Sequence, residues 1–484
     1  MTLHVNAHFS ADTSTAAYAG DATEPEPEPS TPPPTTVPTT PQQPEEQGPK
    51  TAILSTLGNT VIAGQSFFAN GLSSPLATGN CNTTLYEWNF GDVGSQYNAL
   101  VGFNVGHIYD RSGTYEVRLN VTDANGTVSF GSTTVTVLAD TRRALYVSTT
   151  GNDSNPGTQT APFKTILKAS KVAKPGTTVH VASGTYAGGI QTVTSGTATA
   201  RIRYVSDVKW GAKIVPAAGT TKVYAWDERG SYVDIVGFDI DGQSGMSWRN
   251  GLLTRGSHNI FKDNHVHHIA DKVPCESSGG SAIGATHYEY GVQAHVINNV
   301  VHHIGYTGCK FIQGIYMSTS GTVKNNLVYA IGKSAIQLWH DANNVIITNN
   351  TVFGNDTGIK VGGGDFYHNT INDNTHVSNN IIFDNLTGIA ETGVTGTNNT
   401  YTNNLVFKNT TVNFQLKNGN THTGTISADP QFVNYHRTGG GDYRLRATSP
   451  AIDKGSAKDA PSSDIIRTPR PQYGADDIGA YEYR

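Results

Sequence analysis

The stretch Ser334–Asn350, SAIQLWHDANNVIITNN, holds the reading that decides the fold. Its second half is a β-branched run closed by an Asn-Asn pair. Such pairs recur at Asn298-Asn299, Asn325-Asn326, Asn349-Asn350, Asn379-Asn380 and Asn403-Asn404, spaced 27, 24, 30 and 24 residues apart. A related copy, KDNHVHHI, contains Asn264. An apolar doublet follows each pair (Val300-Val301, Leu327-Val328, Ile381-Ile382, Leu405-Val406; Thr351-Val352 in the copy quoted). A short Gly-Ile-like strand follows in most copies: Ala282-Ile283, Gly314-Ile315, Ala335-Ile336, Gly358-Ile359, Gly388-Ile389. A period in the twenties built from short β-branched strands is one coil of a β-solenoid. An Asn repeated at one corner can hydrogen-bond to its counterpart on the next coil, which avoids the desolvation cost of a buried amide.

The rest of the chain divides around this repeat. Residues 1–50 are poor in large apolar groups, and EPEPEPSTPPPTTVPTTPQQPEEQ (Glu24–Gln47) is a semi-extended linker by composition. Residues 51–139 read as short strands with turn punctuation, hence a small β-sandwich. Residues 142–484 form the large domain. It opens on a strand at Leu145–Ser148 and an amphipathic helix near Phe163–Val172, whose Ile166, Leu167, Ala169 and Val172 share a face. A further strand is expected at Thr178–Val181. The expected class is therefore all-β.

Composition narrows the function. Of 484 residues only 15% are charged, and the net charge of −5 offers no general attraction to nucleic acid or acidic membranes. No apolar run approaches the roughly 20 residues of a bilayer span. The N-terminus shows no basic-then-apolar signal peptide. Cys275 and Cys309 sit at comparable points of adjacent copies, as a disulfide or as two buried thiols, with Cys81 left over. The three cysteines do not have zinc-site spacing, and no metal ligands are assigned.

Two resemblances follow from quoted motifs. YEWNFGD (Tyr86–Asp92) and HIYDRSGTYEVRLNVTDANG (His107–Gly126) resemble the PKD domain, with a Trp88-x-Phe90-Gly91-Asp92 core, Tyr109 before a Ser-Gly turn and an alternating Tyr115-Val117-Leu119-Val121 strand. That implies an Ig-like accessory module of an extracellular protein, a spacer or a polysaccharide binder. The Asn repeats, the opening YVSTTGNDSNPGTQTAPFKTI and the ending ADPQFVN…SPAIDKG…DIGAYEY resemble the right-handed parallel β-helix proteins of the pectate-lyase-like superfamily. The resemblance implies a secreted, monomeric carbohydrate-active protein whose partner is a polysaccharide. It is loose for activity, because the superfamily holds lyases, hydrolases, epimerases and adhesins.

Aligning the Gly-Ile strands assigns faces, since side chains alternate along a strand. Leu252, Ile283, Ile315, Ile336 and Ile359 point inward, with Ala285, Met317, Leu338 and Val361 two residues on. The outward strip then carries Leu253, Arg255, Tyr316, Gln337, Trp339 and Lys360, with His287 and His340 at the turns and Asp341 and Asp365 beyond. Aromatics, histidines and a lone Arg over consecutive coils suit a sugar groove. For β-elimination on a uronic-acid polymer, Arg255 would pair with the carboxylate, Lys360 would be the base, and His340 or Tyr316 would be base or acid. Trp339, Gln337, His287, Asp341 and Asp365 would bind substrate. In the resembled lyases Lys or Arg often serves as base, sometimes with calcium bridging the substrate carboxylate, so Ca2+ is a candidate cofactor.

The alternatives are a glycoside hydrolase and a non-catalytic binding or adhesion protein. A hydrolase needs two carboxyl groups, for which Asp341, Asp365, Glu289 and Glu391 are available, but no tight Asp-Asp motif occurs and the register points Glu391 inward. Residues His265, His267 and His268, with His302-His303, recur at one corner as a stacked edge or a metal site.

Overall fold

The computed structural model describes residues 51–484 apart from 57, 64, 82, 96–97, 246–247 and 287–292. The expected linker over residues 1–50 therefore lies outside the described residues, as do His287 and Glu289.

The sandwich pairs a three-stranded antiparallel sheet (Ser55–Thr56, Ser66–Asn70, Asn104–Ile108) with a five-stranded one. The latter orders Thr60–Ile62, Val128–Leu138, Gly113–Thr122, Leu85–Asn89 and Ala99–Val101. The sequence motif supplies the core. Trp88, Phe90, Val117, Leu119 and Val121 are buried between the sheets, and Tyr115 packs at their edge. Buried polar tips find partners, as such groups must. Trp88 donates to the Gly102 carbonyl at 2.7 Å, and the Tyr109 hydroxyl donates to the Phe90 carbonyl at 3.0 Å. Gly91 turns at φ +68, with the Glu116 carbonyl 2.7 Å from where a Cβ would stand; only glycine fits there.

The large domain is a solenoid of three parallel sheets. Among the described residues the first sheet has eleven strands, from Arg143–Val147 to His422–Thr423. The second has nine, from Gly184–Ala187 to Leu405–Phe407, and the third nine, from Ile190–Thr192 to Val412–Gln415. Each coil contributes one strand to each sheet in turn. The helix Ile166–Val172 caps the first coils, with Thr165 accepting from the Lys168 amide. Asp153 braces that cap through the amides of Lys164 and Thr165, both at 2.9 Å. Its buried face is Ile166, Ala169 and Ser170, whereas Leu167, expected on that face, is exposed. The true stripe runs at i, i+3, i+4, and Leu167 falls just beside it.

The Asn pairs divide their labour. The first members (Asn298, Asn325, Asn349, Asn379, Asn403) all take positive φ, between +51 and +59, a left-handed corner that Asn tolerates. The second members form the ladder. Asn264, Asn299, Asn326, Asn350, Asn380 and Asn404 each present Oδ1 to the amides of the coil before, at 2.9 to 3.1 Å. A second ladder, not read from the sequence, runs through Asn355, Asn385 and Asn409 at the corner between the second and third sheets.

Two layers cover the solenoid from outside. The sandwich packs on the first sheet: Phe68 stacks on His295 at 4.8 Å, Phe103 meets His376 edge-on, and Ile346 joins the sandwich core. The C-terminal hairpin (Phe432–Asn434 with Asp442–Leu445) packs Phe432 and Tyr443 on Tyr329, Phe353 and Phe383 of the second sheet. Cys275 and Cys309 are joined in a disulfide with Cα atoms 5.4 Å apart, while Cys81 is a buried cysteine outside that bridge.

Candidate active site

The candidate row lies on the third sheet. Its strands Asn250–Thr254, Gly280–Ala285, Ile312–Met317, Ser334–Leu338, Thr357–Gly363 and Thr387–Gly393 are in register through Leu252, Ile283, Ile315, Ile336, Ile359 and Ile389. That row is fully buried, so the residues beside it form the outer row: Asp227, Leu253, Gly284, Tyr316, Gln337, Lys360 and Ala390. Tyr316, Gln337 and Lys360 thus occupy one line on three successive coils, roughly 4.8 Å apart.

Lys360 is half-buried. Burial pushes its ammonium below the usual lysine range, Lys333 pushes it further, and Asp356 partly offsets this. Asp356 is itself held by Lys333 at 2.7 Å, and among the described residues no carboxylate pairs with Lys360. Gln337 is buried, and its Oε1 has no hydrogen-bond partner among the described residues. A buried acceptor left open beside a depressed lysine is ready for a ligand hydroxyl or amide.

His340 takes φ +52 at the end of its strand. Its Nδ1 donates to the Asp365 carbonyl at 3.1 Å, which leaves Nε2 as the basic nitrogen. Its ring sits edge-on to Tyr316, centroids 6.2 Å apart, and 4.9 Å from the ring of the exposed Tyr367. Trp339 is half-buried over a glycine shelf. A Cβ on Gly362, Gly364 or Gly393 would lie 2.7 to 2.9 Å from its indole, so those positions exclude any larger residue while the indole stays down.

Other candidates are placed elsewhere. Arg255 stands four coils from Lys360 by the strand register, about 19 Å, and the two cannot meet one sugar ring. Its Nε lies 3.3 Å from Asp227, whose carboxylate also takes Arg229 at 2.9 Å and Gln191 at 3.1 Å. Asp227 and Arg229 were not singled out in the sequence; aligning AWDERG with GLLTRG in register would have found them. Asp341 turns away from the groove. It is buried, and its oxygens accept from the amides of Tyr367 and His368, both at 3.0 Å. Burial raises its carboxyl, but those loop amides outweigh burial and hold it below the usual carboxylate range. It anchors the loop 364–370 that walls the groove. Asp365 is exposed on that loop. Glu391 points inward, as its register requires, and is satisfied by Tyr401 at 2.7 Å, the Lys417 amide at 2.7 Å and Asn399 at 3.1 Å.

Calcium needs six to eight oxygens. Around Lys360, Asp356 is held by Lys333, Asp341 by loop amides and Glu391 by the interior, which leaves the exposed Asp365. One carboxylate among the described residues falls well short of a calcium site.

Comparison with known proteins defines the class. Residues 56–137 match the family described as PKD domain, 145–304 the Pel9A-like right handed beta helix region, and 250–428 the right handed beta helix region. Residues 56–137 thus belong to a PKD domain, and residues 145–428 to a right-handed parallel β-helix. Among individual proteins it is similar to the uncharacterized protein YwoF of Bacillus subtilis (strain 168), 32% identical over 135 residues. That match spans 26% of this chain and 29% of YwoF. Solved structures similar to it include the pectate lyase Pel9A (TM-score 0.49, 18% identity, covering 71% of this chain and 97% of that one). A rhamnogalacturonan lyase gives TM-score 0.44 at 17% identity over 61% of this chain and 91% of that one. The family 28 exopolygalacturonase of Yersinia enterocolitica gives 0.37 at 13% over 79% and 88%.

Proposed function

We propose that this protein is a secreted polysaccharide lyase that cleaves a uronic-acid-containing polymer by β-elimination, acting as a monomer. The observation that carries the reading is Lys360: a lysine held below its usual range, without a carboxylate partner among the described residues, in line with Tyr316 and Gln337. The match to a family described after Pel9A, itself a pectate lyase, supports the same substrate class. A hydrolase would need paired carboxyl groups across the bond. Of the candidate carboxylates, Asp341 and Glu391 are engaged by loop amides and by the interior, which leaves Asp365 alone among the described residues and favours elimination.

In the elimination, neutral Lys360 takes the proton on the carbon beside the uronate carboxyl. The freed electron pair forms the new C=C bond, and the bond from the neighbouring carbon to the glycosidic oxygen breaks. Tyr316 gives the leaving oxygen its proton, with the His340 ring edge-on beside it. Gln337, between Lys360 and Tyr316 on the row, hydrogen-bonds the sugar. Arg255 is too far along the solenoid for that task and serves the polymer several residues away.

The test is Lys360→Ala assayed on acidic polysaccharides by the ultraviolet absorbance of an unsaturated product. Removal of a general base costs about 10²–10⁴ in rate, with an unchanged unfolding midpoint. The wild-type rate should rise with pH through the lysine's depressed value, since only the neutral amine accepts a proton. Unchanged turnover in the variant removes Lys360 from the mechanism. New reducing ends without the absorbance would mean hydrolysis, and affinity without turnover would mean a binder.

A further inference from the structure

Away from the groove, the outer face of the second sheet gathers Asp239, Asp241, His265, His267, His268, His302 and His303 on three successive coils. Asp239 Oδ1 lies 3.0 Å from His265 Nδ1 and 2.8 Å from His267 Nε2. Each of these rings turns its other nitrogen to a further imidazole. His265 Nε2 is 2.7 Å from His302 Nε2, and His267 Nδ1 is 2.6 Å from His268 Nδ1. His302 Nδ1 in turn meets His303 Nδ1 at 2.7 Å.

We propose that Asp239, His265 and His267 form a binding site for one divalent transition-metal ion, of the zinc, nickel or copper type. Two imidazoles and one carboxylate are a recurrent three-ligand set for such ions, with a fourth position open to water. The ligand atoms all lie within 4.8 Å of one another. Metal–ligand bonds of about 2.0–2.1 Å in a tetrahedron place ligands about 3.3 Å apart. The two measured contacts to Asp239 need widen by only a few tenths of an ångström. Hard cations such as calcium prefer all-oxygen cages and fit poorly here.

The second observation is the proton order of the surrounding rings. With no ion bound, His265 Nδ1–H and His267 Nε2–H both donate to Asp239. Their other nitrogens then accept from His302 and His268, and His303 donates to His302. With an ion bound, each of the five neutral rings moves its one proton to the opposite nitrogen. His265 now donates to His302, His302 to His303, and His267 to His268. Every ring nitrogen facing a neighbour is satisfied in both orders. A ligand histidine whose second N–H meets a ready acceptor is the outer support that metal sites require. Access is open, since the side chains of Asp239, His265 and His267 are 14%, 22% and 10% exposed. Among the described residues the cation facing the site is Lys213, 2.6 Å from Asp241 Oδ2 and 3.8 Å from Asp239 Oδ2. It can stay on Asp241 while Asp239 Oδ1 takes the metal.

Tag-free full-length protein is stripped with a chelator, dialysed against zinc chloride, and its metal content measured alongside its unfolding midpoint. About one zinc per chain and a raised midpoint are expected. Asp239→Asn, which keeps the shape, and His265→Phe, which keeps a ring over Trp210, should both lose the ion and the midpoint rise. Their midpoints in chelator should match the wild type in chelator. Lys360→Ala, on another face, should retain the zinc. Failure of the stripped wild type to take up zinc overturns the proposal. So does equal zinc content in Asp239→Asn and His265→Phe, which would leave the cluster a hydrogen-bonded ladder only.

Discussion

Asn298 and Asn299 are chemically identical neighbours, yet replacing them should give opposite results. Asn299 Oδ1 accepts from the Asn264 backbone amide at 2.9 Å and from Asn264 Nδ2 at 3.1 Å. Asn264 is fully buried, and its Nδ2 keeps one other partner, the Ile235 carbonyl. Asn299→Ala therefore orphans the Asn264 amide and one Nδ2 hydrogen. At about 1–3 kcal/mol for each unsatisfied buried donor, the loss is about 2–6 kcal/mol. Asn298 takes φ +59, and its own Oδ1 is buried without a partner. Asn298→Gly relieves both conditions, since glycine adopts that backbone freely, and should lie within about 0.5 kcal/mol of the wild type. Urea unfolding followed by circular dichroism measures both. A cost under about 1 kcal/mol for Asn299→Ala, or equal costs for the two variants, would refute the division of labour between pair members.

Two further outcomes are expected. His295 is fully buried against Phe68, and burial with the nearby Arg201 pushes its imidazole down to about 3. The unfolded chain then binds the extra proton below about pH 6.5, so stability present above that pH is lost as pH falls toward 3, on the order of 1.4 kcal/mol per pH unit, and His295→Phe should flatten that slope in a pH series of urea midpoints. Asp341→Ala should free the loop 364–370, lowering hydrogen-exchange protection of the Tyr367 and His368 amides at least about tenfold (about 1.4 kcal/mol); unchanged protection would mean that the loop holds itself.

The fold was legible because its signals are local and periodic. The inward row Ile283, Ile315, Ile336 and Ile359 needed only alternation and a repeat, and all four are fully buried. The PKD-like motif worked for the same reason: Trp88, Phe90 and the strand Val117, Leu119, Val121 fill one small core. The outer row of the third sheet was legible in part. Register alone puts Tyr316, Gln337 and Lys360 in line, but strip membership does not give distance along the axis, which is what separates Arg255 from Lys360. Asp341 misled because a carboxylate beside an aromatic looks like a ligand, and only the loop that returns to it shows that its oxygens are taken. The shelf under Trp339 was visible as Gly362-Gly363-Gly364, yet its meaning depends on an indole one coil away.

The three outer faces explain why function concentrates where it does. A solenoid cannot leave all its strands bare, and here the apolar outer surfaces are covered. The sandwich closes the first sheet around Phe68, Phe103 and Ile346, and the C-terminal hairpin closes the later coils of the second through Phe432 and Tyr443. The third sheet carries polar and aromatic residues in line, without a packed strand layer among the described residues. The earlier coils of the second sheet lie beyond the hairpin's reach. There the outward row changes from Phe383, Phe353 and Tyr329 to His302, His267 and Asp241. Asp239 and His265 are 26 residues apart, one coil of this solenoid, so aligning FDIDG with NHVHH brings the carboxylate over the imidazole. Where an outward row stops being apolar just as its cover ends, the change of residue type marks a surface kept open for a ligand. The two proposed sites lie on different sheets, so Lys360→Ala and Asp239→Asn should each disable one without touching the other.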